Sequence, residues 1–159
     1  MKRITFLLIA FLAIGGSAYA VTSATTAAEG IYPPGTSFNG VPITGLNIGS
    51  GSLVAADGTA EGHLGIELLG PTILGNQQII SVEATVSGGS RAAANVTTVS
   101  GTCTIDMGNG TPPLTGVPFV ATITTDSQNQ GTVGLVLGAT VLPAATINDG
   151  SMTIADLAD

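Results

Sequence analysis

Between Val117 and Leu137 lie two runs in which side chains suited to a core recur at every second position. Val117, Phe119, Ala121 and Ile123 alternate with Pro118, Thr122 and Thr124; Val133, Leu135 and Leu137 alternate with Thr132 and Gly134. Between the two runs lies the polar, glycine-terminated segment Asp126-Ser127-Gln128-Asn129-Gln130-Gly131. A period of two places every second side chain on one face of an extended strand, and β-branched residues suit the pleat. The stretch therefore predicts a β-hairpin with one buried face.

The same pattern recurs along the chain. Thr59 to Leu69 would put Leu64, Ile66 and Leu68 on one face and Glu61, His63 and Glu67 on the other. Gln78 to Ser87 would bury Ile80, Val82, Ala84 and Val86 while Ser81, Glu83 and Thr85 face out. Thr102 to Met107 offers Cys103, Ile105 and Met107 to the core. Glycine clusters read as turns: Gly49-Ser50-Gly51-Ser52 between strands at Val41 to Ile48 and Leu53 to Ala56, Asp57-Gly58, and Ser87-Gly88-Gly89-Ser90. Asn148-Asp149-Gly150 reads as a hairpin loop joining Ala144 to Ile147 with Ser151 to Ala155. The nine residues Gly108 to Gly116, with two prolines, suit a crossover between sheets. Helix formers are scarce, and beyond the first twenty residues no window has a helical apolar stripe. The expectation is an all-β fold: a single antiparallel β-sandwich or jelly-roll-like domain of about eight to ten short strands.

The first twenty residues differ from the rest. Met1-Lys2-Arg3 precedes an apolar run from Ile4 to Ile14 and a small-residue segment ending Ala18-Tyr19-Ala20. A positive start, a short apolar core and an A-x-A-like end mark a secretory signal peptide, residues 1–20, cleaved after Ala20. The apolar run is too short to span a bilayer, which takes about 20 residues. Residues 21–40 read as a flexible N-terminal arm (Thr/Ala-rich Val21 to Glu29) followed by a proline-rich entry, and residues 41–159 as the β-sandwich domain. The chain is expected in the secreted, periplasmic or cell-envelope space.

Loss of Lys2 and Arg3 would move the formal charge from −7 to −9 and leave Arg91 as the sole basic side chain against ten carboxylates. Nucleic-acid binding requires a basic footprint, so that class is excluded. Catalysis is poorly supplied: one His, one Cys, no G-x-S-x-G elbow, and few aromatics to hold a sugar. No enzymatic activity or catalytic residue is expected. Cys103 has no partner for an intramolecular disulfide; it reads as a buried hydrophobe, with pairing between chains as the alternative.

No metal site is expected, and the weak candidates are soon named. Glu61, His63 and Glu67 share one strand face, though transition metals usually take three or four ligands. Asp106, Asp126 and Asp149 sit in or beside loops, where calcium finds carboxylate and carbonyl oxygens. The resulting expectation is an exported, non-catalytic structural or surface-associated protein that self-associates by strand addition through its N-terminal arm. The alternative is an extracellular ligand-binding module that uses end loops, with calcium, for a protein or glycan partner.

Overall fold

A computed structural model of the chain describes residues 21–73 and 76–157. The expected signal peptide, residues 1–20, lies outside them. The described part is all-β. Its strands are β1 (Val21–Ile31), β2 (Ser37–Phe38), β3 (Val41–Pro42), β4 (Gly45–Ala55), β5 (Thr59–Ile73), β6 (Asn76–Ala93), β7 (Val96–Asp106), β8 (Leu114–Thr125), β9 (Gly131–Leu137), β10 (Thr140–Val141) and β11 (Ala145–Leu157).

Nine of these strands form one antiparallel sheet in the order β10-β9-β11-β1-β4-β5-β6-β7-β8. The sheet does not end at β8, because β8 also pairs with β9, from Phe119↔Leu137 to Thr125↔Gly131. β9 pairs on its other side with β11, Val133 lying opposite Ala145. The pairings therefore run in a closed ring of eight strands, β1-β4-β5-β6-β7-β8-β9-β11 and back to β1. Two packed sheets were the expectation; one sheet closed on itself is what the pairings describe. Closure removes most strand edges, which otherwise invite pairing with another chain.

The anchoring hairpin stands as read from the sequence. Phe119, Ala121, Ile123, Val133, Leu135 and Leu137 are buried, and Asp126 holds the turn by accepting N–H bonds from Gln128 at 2.8 Å and Gln130 at 2.9 Å. The inward faces of β5 and β6 are also as expected: Leu64, Ile66, Leu68, Ile80, Val82, Ala84 and Val86 are buried in the same core. Cys103 joins them, and burial pushes its thiol above the ordinary range.

Several glycine-based boundaries are corrected. Gly49-Ser50-Gly51-Ser52 lies inside the unbroken strand β4. Ser87 to Ser90 lies inside β6, where the register shifts between Val86 and Gly88. The Gly108–Gly116 stretch is no crossover, since β7 and β8 are adjacent strands, with Cys103 opposite Val117 and Ile105 opposite Leu114. Asn148-Asp149-Gly150 is a bulge within continuous β11: Glu29 pairs with Asp149 and Gly30 with Ile147, leaving Asn148 over. Gly150 has φ 84°, and a Cβ there would overlap the Ala27 carbonyl, so glycine at this point serves the bulge rather than a turn.

The largest correction concerns Val21 to Glu29. The segment is no free arm but most of β1, paired along its length with β11 on one side and β4 on the other. Its inward residues Thr22, Ala24, Thr26 and Ala28 are small and buried. Their size, which made the stretch look featureless, leaves room for the larger aliphatics opposite. The β-domain thus takes in Val21 to Ile31 rather than beginning at residue 41.

The two ends of the barrel are closed differently. At one, β2 and β3 form a separate ribbon, and Tyr32, Phe38 and Ile43 from this excursion join the core. At the other, Arg91 reaches from the end of β6 to β1 and β11. Its guanidinium donates to the carbonyls of Ala93 (3.1 Å) and Ala94 (3.0 Å) and to Thr22 Oγ1 (3.4 Å), and it pairs with Asp156.

Candidate functional site

With apolar side chains filling the barrel, contact chemistry is left to the outer wall. Across β11, β1, β4, β5 and β6 the register aligns Asp149, Glu29, Asn47, Glu67 and Ser81 in one outward row. The next row is Ala27, Gly49, Gly65 and Glu83, and the one after it holds Thr25, Gly51, His63 and Thr85. The middle row is nearly without side chains, so a shallow trough of about 550 Å³ opens over Ala27, Gly49 and Gly65, with Glu29, Glu67, Glu83 and Asp149 around it.

His63 and Glu83 meet at 2.8 Å on this wall, both largely exposed to water. Asn47 Nδ2 donates to Glu67 Oε2 at 3.0 Å. Exposed pairs of this kind contribute about 0–1 kcal/mol each, so they arrange the surface more than they stabilise the fold. Among the described residues, no group of three or more His, Cys, Asp or Glu side chains is placed to hold a metal ion.

The candidates read from the sequence are scattered by this geometry. Glu61, His63 and Glu67 do share an outward face, but His63 turns to Glu83 on β6, and Glu61 lines a separate shallow groove with Ser23, Thr25 and Leu53. Asp106 Oδ1 accepts the N–H of Gly108 at 2.9 Å, and Asp126 holds the β8–β9 turn. Asp57 accepts both the hydroxyl and the amide of Thr59, and these bonds hold its carboxyl below the usual carboxylate range. These three loop carboxylates each serve their own turn. Asp149 alone among the loop candidates lines the trough.

Glu29, Asn47 and Glu83 were missing from the sequence-level candidates. Glu83 was legible as an outward residue of a strand. Glu29 was not, because its place depends on β1 being a wall strand. Comparison with protein-family models, curated proteins and solved structures returned no match.

Proposed function

We propose that this chain is an exported, non-catalytic structural or surface-associated protein that works through the outside of its barrel. The observation behind this reading is the division of the wall: aliphatic side chains inward, threonine, serine and carboxylate side chains outward, with Phe38 and Arg91 at opposite ends. A packed interior leaves ionisable groups on an open surface, where water levels their chemistry, whereas catalytic groups converge in a sheltered pocket. The secretory pattern of the first twenty residues points to the extracellular or envelope space.

No helix among the described residues is long and apolar enough to cross a membrane. A membrane-spanning barrel would carry apolar side chains on its outer band. Here Glu29, Glu61, His63, Glu67 and Glu83 are exposed on that wall. The pattern supports a barrel surrounded by water.

The alternative, an end-loop ligand module using calcium, draws less support, since Asp106 and Asp126 already bond to amides of their own loops. Two measurements test the reading. N-terminal sequencing and fractionation of the protein from the cell that makes it should find a chain starting at Val21 in the envelope or medium; an intact N-terminus in the cytosol would overturn export. Calorimetric titration with calcium should show no saturable heat, and a stoichiometric signal would favour the ligand module.

A further inference from the structure

The charged side chains of this barrel lie away from the faces of β8, β9 and β10. Between Asp106 and Asp149 the only charged residue is Asp126, in the turn between β8 and β9. The strands β8, β9 and β10 therefore carry no charged side chain at all. In the ring of eight, β8 and β9 stand opposite β4 and β5, the wall that carries Glu61, His63 and Glu67.

The uncharged wall also turns apolar side chains to water. Val120 lies opposite Val136, and Val136 opposite Val141, so three valines form one outward row across β8, β9 and β10. Val141 is 73% exposed and Val120 36% exposed, and Leu114 at the start of β8 is 47% exposed. The row is bordered by neutral groups, among them the Thr98–Thr122 hydroxyl pair at 3.2 Å and the exposed ring of Pro118.

We propose that the outer face of β8, β9 and β10 is a self-association surface on which a second copy of this chain docks face to face. The occupant follows from charge. The exposed carboxylates Glu29, Glu61, Glu67 and Glu83 make an approach through the β1–β4–β5–β6 wall repulsive between two copies. Two copies joined through the valine rows turn their acidic walls to opposite outer sides. Contact is then made by apolar side chains, in the manner of packed sheets about 10 Å apart. A cationic partner would choose the other wall. The closed ring also replaces the expected route of strand addition, because β8 and β9 are both already paired on each side.

The proposal deepens the structural reading given above, and its test is separable from it: a strict monomer in the envelope would leave the structural reading standing and remove the dimer. The test is sedimentation equilibrium of the purified protein across a concentration series, with circular dichroism melts as the fold check. The wild type should dimerise reversibly, and more tightly as salt screens the residual repulsion. Val141→Glu, at the most exposed position of the row, should raise the dissociation constant at least about tenfold. Val120→Thr keeps shape and β-propensity while removing apolar surface, and should weaken the dimer in the same direction. Thr85→Glu adds the same charge to the opposite wall and should change the constant by less than about twofold. A wild type that stays monomeric to about 1 mM would overturn the proposal, that concentration bounding the weakest specific contacts. So would a dimer indifferent to both valine variants, one lost equally with Thr85→Glu, or a monomer whose valine wall instead binds zwitterionic lipid vesicles.

Discussion

Replacing Arg91 with methionine keeps most of the apolar stem and removes the guanidinium that braces the β6–β7 turn and reaches β1 and β11. The wild-type group makes two bonds to backbone carbonyls, one to Thr22 Oγ1, and the ion pair with Asp156. The Arg91 side chain is 23% exposed and that of Asp156 61%, so the pair itself is screened and contributes about 0.5 to 1 kcal/mol. The two carbonyl bonds add about 1 kcal/mol each after exchange with water, and the 3.4 Å bond adds little. Arg91→Met should therefore cost about 2 to 3 kcal/mol, read as a lower midpoint in urea with an unchanged slope. For a domain of this size the equivalent fall in Tm is about 5 to 10 °C. Asp156→Asn should cost no more than about 1 kcal/mol, and only that share should disappear at 1 M salt. A loss below about 0.5 kcal/mol for Arg91→Met would refute a structural role for the guanidinium, because surface substitutions without one fall in that range.

Three further outcomes follow from the same structure. Gly150→Ala should destabilise by more than about 1 kcal/mol, since the new Cβ meets the Ala27 carbonyl at a positive φ, while Gly49→Ala, which points into open space, should be neutral or mildly stabilising in the same urea titration. Deleting Val21 to Glu29 should abolish the cooperative melt, because it removes most of a wall strand; a truncated chain that still melts cooperatively would restore the free arm. Cys103 should react with a thiol reagent slowly in the native state and at once in urea. Its thiol is raised by burial in the fold, so its contribution to stability is fully present below the ordinary thiol value and is lost as pH rises beyond it; stability should decline through the alkaline range, and less so in Cys103→Ala.

The strands whose inward side chains are large were legible without the structure. Phe119, Ile123, Leu135, Leu64, Ile66 and Ile80 each sit two residues from another inward apolar side chain, and a period of two needs no knowledge of partners. What misled was glycine. Gly49, Gly51, Gly88 and Gly89 lie within strands, where Gly49 opens the trough and Gly88 and Gly89 allow close approach, and nothing local separates that use from a turn. Asn148-Asp149-Gly150 has the residues of a hairpin loop and serves as a bulge because β1 is there to pair with both flanks. β1 itself was hidden by its small inward residues, and with it went the ring, since closure depends on β1 joining β4 to β11. The outward row Asp149, Glu29, Asn47 and Glu67 comes from four separate strands, and only the cross-strand register reveals it.

The closed ring is most directly tested by interstrand NOEs in one isotopically labelled sample. Contacts should be found between Ile123 and Val133, between Val133 and Ala145, and between Thr25 and Thr153, which together carry the pairing from β8 through β9 and β11 to β1. A sample that shows the β8–β9 contacts but lacks those from β9 to β11, with Val21 to Glu29 free of any partner, would contradict the barrel and return the chain to two open sheets with a loose N-terminal arm.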